Sequence, residues 1–266
     1  MLSTVNATRF DRLMSTGKTK PALLACQRAD GTEVEVVTKF SAGCERGVTA
    51  LAIEALLAML AADLHLPTPE PVLVNVSPDV IDPASSQFAH DLARKSLSPA
   101  YGSVRLPAGF SAVASDKRFD GLAGQAAEIL AFDGMILNPD RRISNPNCQC
   151  DGKHFAIFDH EAALVGLEVL GSVLQPYPWT PGALGTLGQG PGQHVLFTLL
   201  SGKDLQFDRF TAAWAIVTDA RLAAYKDAMP KSWDSAFPVV DQALSYLGEL
   251  RNHIPAVLDE VRRILQ

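Results

Sequence analysis

Asp140, Asn145 and Asp159 fall within the stretch FDGMILNPDRRISNPNCQCDGKHFAIFDH, residues 132–160, as a carboxylate, then a carboxamide after four intervening residues, then a later carboxylate. Phosphoryl transfer asks for these residue types. One carboxylate accepts the proton of an attacking hydroxyl, and hard oxygens hold a divalent cation that neutralises phosphate charge. The order D-x-x-x-x-N followed by a strand-end Asp is the protein-kinase catalytic pattern. Alone, D-x-x-x-x-N arises often by chance, so the elements around it must support it.

Those elements follow from local rules. Pro139 pushes Asn138 out of the α region, so the helix expected over 122–137 stops and Asp140 sits on a loop. Pro146 restrains Asn145 in the same way, which makes 140–145 a short, defined loop. Residues 147–150 and 153–158 flank Asp151-Gly152, a dipeptide that favours a two-residue hairpin turn. With Cys150 paired to Lys153, Asn145 falls opposite Phe158 and Ser144 opposite Asp159. Asn145 and Asp159 then meet at the open end, where ladder neighbours lie about 5 Å apart. That pair would share one Mg²⁺, leaving Asp140 as the base.

Upstream, 22–27 and 33–40 read as strands joined across Ala29-Asp30-Gly31, 48–64 as an Ala/Leu-rich helix stopped before Pro67 and Pro69, and 70–76 as a strand. Lys39 ends the run V-E-V-V-T-K on the face of Val37, where a kinase-type lysine would reach the α and β phosphates of ATP. Glu54 shares a helix face with Ala50, Leu57, Ala58 and Ala61, and an acid on an apolar face needs a cation, for which Lys39 is the candidate. The run Ser15-Thr16-Gly17-Lys18-Thr19 is not a Walker A motif, because Arg12 stands where Gly is required and no clear strand precedes it. It reads as a nucleotide-covering loop in which Gly17 lets backbone amides approach phosphates. Residues 1–20 are otherwise read as polar.

Residues 77–98 suggest a loop with a short helix, and 101–106 a strand. Beyond 162 the chain reads as mainly helical, interrupted by a Gly/Pro-rich run over 176–192, with final helices over 239–250 and 255–265. The expected class is α+β, with residues 1–106 as an N-terminal nucleotide-binding lobe and 107–266 as a C-terminal catalytic and helical lobe. Lys plus Arg number 23 against 29 Asp plus Glu, a formal charge of -6 that argues against a nucleic-acid partner. No long apolar run suggests a membrane span, and four cysteines make no disulfide framework, so a cytoplasmic location is expected. Cys148 and Cys150 lack a second pair that would complete a zinc set and are read as hairpin positions. His65, His90 and His194 are read as structural or surface residues, and Trp179, Trp214 and Trp233 as core of the C-terminal region.

The sequence resembles the HipA-like kinases, in particular compact members made only of the kinase-like core. The resemblance rests on Gly17, Pro21-Ala22-Leu23-Leu24, Val37-Thr38-Lys39-Phe40, Leu66-Pro67-Thr68-Pro69-Glu70-Pro71, Tyr101-Gly102-Ser103 and Leu106-Pro107. Its most specific part is Phe132-Asp133, Asn138-Pro139-Asp140-Arg141-Arg142, Asn145-Pro146-Asn147 and Phe158-Asp159-His160. It implies a two-lobed protein-kinase-like fold with a small β-rich N-terminal lobe and a larger, mainly helical C-terminal lobe. Asp140 would be the catalytic base, Asn145 and Asp159 the Mg²⁺ ligands, Lys39 the ATP-phosphate ligand held by Glu54, and Val104, Arg105 and Leu106 the link against adenine. The implied activity is ATP- and Mg²⁺-dependent phosphotransfer, by a protein serine/threonine kinase or autokinase. The alternatives are a small-molecule or lipid kinase, or a nucleotide-binding regulatory pseudokinase. An unidentified protein or small-molecule phosphoacceptor and an operon-encoded regulator are the implied partners. The chain is read as lacking the extra N-terminal subdomain of longer members. Some members are silenced by phosphorylation of the nucleotide loop, which makes Ser15, Thr16 and Thr19 candidates. His160-Glu161 stands where Phe-Gly follows the metal Asp in classical protein kinases.

Overall fold

The computed structural model describes residues 2–15, 17–114, 119, 121–172 and 175–266. The chain is mixed α+β, β-rich at its N-terminal end and helical towards its C-terminus. It divides into two compact units, one of residues 1–59, 69–106 and 224–241, the other of residues 60–68, 107–223 and 242–266.

The first unit is built on a closed five-stranded barrel. Strands β1 (Ser3–Leu13), β2 (Ala22–Gln27) and β3 (Glu33–Lys39) precede helix α1 (Val48–Asp63). Strand β4 (Pro71–Asn75), helix α2 (Pro83–Lys95) and strand β5 (Ala100–Val104) follow it. The order around the barrel is β1-β2-β3-β5-β4, closed by a parallel pairing of β1 with β4 from Ser3↔Val72 to Asn6↔Asn75. Val5, Leu24, Cys26, Val36, Val72 and Val74 form its dry core. Gly102 is required there. A Cβ at this position would come within 2.6 Å of Val74 Cγ2 and closer still to Val36 Cγ1. Helix α2 is capped by Asp82, whose carboxylate accepts from the Ala84 amide at 2.9 Å, and adds Ala89, Leu92 and Ala93 to the same core. The expectation of a loop with a short helix over 77–98 thus resolves into a helix over most of that stretch.

Strand β1 was not expected. Its pairing with β2 shifts register between Ala7 and Arg9 and again between Phe10 and Arg12, so two bulges break the period-2 pattern that marks a strand. A strand therefore does precede Gly17. The loop after it runs back into β2 and not into a helix, so the Walker A reading fails on that half of the motif instead.

The residues of α1 from Ala50 to Ala61 are buried on every side, as an Ala/Leu-rich core helix should be. It ends in a Schellman motif, with the Leu66 amide on the Ala61 carbonyl at 2.9 Å, the His65 amide on Ala62 at 3.0 Å and His65 at φ 57°. In the first unit Trp233 is fully buried and donates from Nε1 to the Pro99 carbonyl at 3.0 Å. This corrects its assignment to a C-terminal core: residues 224–241 return to the unit of the barrel.

The second unit holds β6 (Ser111–Ala112), α3 (Ala123–Met135), β7 (Cys148–Cys150) and β8 (Phe155–Ile157). Helices α4 (Phe197–Leu200), α5 (Asp208–Trp214) and α6 (Asp219–Asp227) lie after them, then α7 (Phe237–Leu250) and α8 (Ile254–Leu265). Residues 219–223 and 242–250 are the parts of α6 and α7 that belong to this unit. Helix α8 buries Ile254, Val257, Leu258, Val261 and Leu265, a helical stripe packed against α3 and α5. Among the described residues no α-helix lies between α3 and α4, so the mainly helical region begins at Phe197, later than expected. The intervening stretch is turns and short 3-10 segments, in keeping with its glycines and prolines.

The β7–β8 hairpin also departs from expectation. Cys150 pairs with Phe155 and Cys148 with Ile157, two residues out of the register that a two-residue turn would give. The cause is Asp151. Its Oδ1 accepts from the amides of Lys153 at 2.8 Å and His154 at 2.7 Å, which organises a four-residue connection over 151–154.

Candidate active site

Helix α3 carries its acid inward. Residues Ala126 to Met135 are all buried, and Asp133 among them is fully excluded from solvent. The helix closes with a second Schellman motif, the Asn138 amide reaching the Asp133 carbonyl at 2.9 Å with Leu137 at φ 54°. A leucine in the left-handed region is strained, and it is retained where Pro139 forbids the helix to continue. Asn138 then works twice. Its Nδ2 donates to Asp133 Oδ1 at 2.7 Å, and its Oδ1 accepts from the Asp140 amide at 3.0 Å, tying the start of the loop to the helix.

The buried carboxylate of Asp133 also accepts from Arg141 Nε at 2.5 Å and Nη2 at 3.3 Å and from His194 Nε2 at 2.9 Å. Burial by itself would push the Asp133 carboxyl up. The Arg141 guanidinium and His194 outweigh it and hold the group well below the usual carboxylate range. Nδ1 of His194 accepts from the Leu196 amide at 3.2 Å, so the proton on this ring is at Nε2. Sequence reasoning missed this cluster. Its signal was Asp133 itself, which with Glu128 is one of two acids in the otherwise apolar run A-E-I-L-A-F-D-G-M-I-L, to which the cation argument used for Glu54 applies equally.

Arg141 reaches further. Its Nη1 donates to the carbonyl of Asn147 and, at 3.2 Å, to that of Phe158. The Phe158 amide donates to Asn147 O at 3.2 Å, continuing the hairpin ladder by one rung. Asp159 comes next, half-buried at φ 63°, in a left-handed conformation that Asp tolerates better than most residues. His160 follows, fully buried and edge-on to Phe132 at 5.8 Å. In the observed register Asn147 stands opposite Phe158. Asp159 therefore lies one position beyond the last rung, with Pro146 opposite it, and not opposite Ser144.

Asp140 and Asn145 do meet. The turn over 142–145 is closed by the Asn145 amide on Arg142 O at 2.9 Å, and Asn145 Nδ2 donates to Asp140 Oδ2 at 2.7 Å. Asn147 Nδ2 donates to the same oxygen at 3.2 Å, and Arg142 Nη2 lies 3.4 Å from Oδ1. A carboxylate only accepts, so each amide must face it with nitrogen. The carbonyl oxygen of Asn145 is thereby turned away from Asp140, and it and the Asp159 carboxylate are the two hard oxygens that the sequence pattern names for Mg²⁺. Among the described residues no three His, Cys, Asp or Glu side chains form a metal cluster. Two protein oxygens with the remainder from phosphate and water is a donor set that suits Mg²⁺. Burial pushes the Cys148 thiol up to about 12.

In the first unit, Lys39 and Glu54 are brought together. Lys39 Nζ lies 3.5 Å from Glu54 Oε2, with the side chains 10% and 3% exposed, so the charged pair is drawn from the strand and helix faces expected. Gly17 sits in the β1–β2 connection at φ 98°, a conformation that suits glycine. The Val104 amide donates to Glu70 O at 2.9 Å and the Arg105 amide to Glu35 O at 2.8 Å, while the Arg105 guanidinium holds the Glu35 carboxylate at 2.9 Å. Both of these amides are thus committed within the barrel, and a base lying against 104–106 would have to find its N–H donor at Leu106. Ser15 is exposed and Thr19 buried, and Thr16 lies outside the described residues. A depression lined by Phe40, Arg94, Ser96 and Leu97 in the same unit includes none of these candidate residues.

Among the described residues no helix is long and apolar enough to cross a membrane. No curated protein matches the chain. A solved structure that resembles it is that of a Helicobacter pylori proinflammatory kinase, CtkA, which covers 100% of this chain and 99% of its own at 9% identity and a TM-score of 0.49. The family model of HipA-like kinases matches residues 8–168, more than half of the chain, and that span takes in Lys39, Glu54, Asp133, Asp140, Asn145 and Asp159. With this match running through both the barrel and the Asp140 loop, the protein belongs to the HipA-like kinase family.

Proposed function

We propose that the protein transfers the γ-phosphoryl group of ATP to a hydroxyl acceptor, with Mg²⁺, as a protein serine/threonine kinase or autokinase. The observation that carries this reading is the 2.7 Å contact of Asn145 Nδ2 with Asp140 Oδ2. One amide orients a carboxylate through nitrogen and presents its oxygen elsewhere, which is what neighbouring base and ligand positions need. Lys39, held near Glu54, supports it as the group that takes the non-transferred phosphates, and Gly17 as a loop position where backbone amides approach them.

When bound, Mg²⁺ would offset the negative charge on the phosphates, with Asn145 and Asp159 as its protein ligands. Asp140 orients the acceptor hydroxyl and takes its proton. The acceptor oxygen bonds to the γ-phosphorus as the bond to the β–γ bridging oxygen breaks, its electron pair leaving with ADP. In this reading residues 1–106 serve as the nucleotide-binding lobe and 107–266 as the catalytic lobe of a kinase-like fold, with Val104, Arg105 and Leu106 against adenine.

Calorimetry of ATP binding with and without Mg²⁺, on wild type and Asp159→Ala, tests it together with transfer of labelled γ-phosphate. Mg²⁺-dependent binding lost in Asp159→Ala, with transfer abolished in Asp140→Ala, is the expected result. Wild-type protein that binds no ATP would overturn it.

A further inference from the structure

Asn147 is a junction. Its backbone is left-handed at φ 42°, and it is 8% exposed. Its carbonyl takes both Arg141 Nη1 and the Phe158 amide, and its side-chain amide donates to Asp140 Oδ2 at 3.2 Å. That oxygen already receives Asn145 Nδ2 at 2.7 Å. Two donors use both lone pairs of Oδ2 and fix the rotation of the carboxylate about its Cβ–Cγ bond. Oδ1, with the half-exposed Arg142 at 3.4 Å, is the oxygen left to face an incoming group.

We propose that Asn147 is a positioning residue for the phosphotransfer, whose side-chain amide locks the Asp140 carboxylate so that Oδ1 takes the acceptor proton. The proposal rests on the reading of Asp140 as the base. Asn145 cannot do this work alone, because a single donor leaves the carboxylate free to pivot about that contact. It would also loosen whenever the Asn145 side chain adjusts to a cation. Asn147 is tied from behind by Arg141, whose guanidinium is itself fixed on Asp133 at 2.5 Å. The lock thus derives its rigidity from the buried cluster.

The structural and positioning roles of this residue separate cleanly, because the first uses its backbone carbonyl and the second its side chain. Asn147→Gly keeps the carbonyl, suits φ 42° and removes only the amide. Asn147→Asp keeps the shape and replaces the donor by an acceptor that repels Asp140. The assay is transfer of labelled phosphate from ATP to the protein and to water, with ATP titrated to separate kcat from KM, beside a thermal melt. In Asn147→Gly we expect kcat to fall about tenfold to a hundredfold, the scale of a misplaced catalytic group, with KM for ATP within about twofold of wild type and the melting temperature nearly unchanged. Asn147→Asp should lose at least as much kcat. Wild-type kcat in Asn147→Gly would overturn the proposal. So would a parallel loss of ATP affinity, kcat and melting temperature, which would make the residue merely structural. Full transfer by Asp140→Ala in the same assay would instead remove the base assignment beneath it.

Discussion

Arg141 Nε meets Asp133 Oδ2 at 2.5 Å with both side chains wholly shielded from water. This pair joins the end of helix α3 to the loop that carries Asp140, and through the Asn147 and Phe158 carbonyls to the strand that delivers Asp159. Asp140, Asn145 and Asp159 are half-exposed, and their geometry is inherited from a charged pair that touches no solvent. Such a pair is seldom a net source of stability, but removing one partner strands the other charge in an apolar interior.

Replacing Arg141 by Ala should therefore destabilise the protein by about 3–5 kcal/mol, the cost of an orphaned buried charge. Arg141→Lys should not rescue it, since an ammonium cannot serve Asp133 and two carbonyls from one planar fork. Urea denaturation of the two variants and wild type measures both.

Acid should act through the same carboxylate. Asp133 stays ionised to lower pH in the folded protein than in the unfolded chain, so between those two values the unfolded chain binds more protons. Its contribution to stability is complete above the ordinary carboxylate value near about pH 4 and is lost as pH falls below it towards the folded value. Denaturation midpoints between pH 6 and pH 3 should drop more steeply for wild type than for Asp133→Asn, which is less stable throughout but lacks this proton.

Lys39 and Glu54 should fail separately. Glu54→Ala leaves a buried ammonium without its carboxylate and should cost about 1–3 kcal/mol of stability, together with a raised KM for ATP. Lys39→Met leaves the more deeply buried Glu54 carboxylate without this cation, so it should cost at least as much stability, and it should lower kcat for phosphate transfer as well as raise KM. Melting curves and steady-state kinetics on the two variants distinguish these patterns.

Gly102→Ala should cost about 1–3 kcal/mol, because the new methyl enters the filled barrel core against Val36 and Val74. Val74→Ala introduced with it should recover part of the loss, whereas Val74→Ala alone is destabilising. Additivity of the two melting shifts would show that the methyl does not enter the core.

Among the nucleotide-loop hydroxyls, Ser15 is exposed and Thr19 is buried. Incubation with ATP followed by phosphopeptide mass spectrometry should find phosphate on Ser15 in preference to Thr19. Modification of Thr19 with Ser15 untouched would contradict this.

The parts of the molecule legible in the sequence are those governed by local rules. Pro67 and Pro139 mark the helix ends at Asp63 and Met135, and alternation along 33–39 puts Lys39 on the face that meets Glu54. Misread features depend on distant partners or on side chains acting on backbone. Strand β1 hides behind its bulges, the hairpin register follows the Asp151 carboxylate, and Trp233 is buried among residues more than a hundred positions upstream. His194 was opaque for the same reason. Its partner Asp133 is 61 residues away, and nothing adjacent in sequence marks it as a donor.

The parallel pairing of β1 with β4 has a further consequence. It is the seam that leaves the barrel without a free strand edge, and one side of that seam is the stretch Ser3–Asn6 at the start of the chain. Lose those few residues and β4 presents a row of bare amides and carbonyls, with Val72 and Val74 uncovered beside it, a template for the same strand of another molecule. The pairing of Ser3–Asn6 with β4 is therefore what keeps that edge covered.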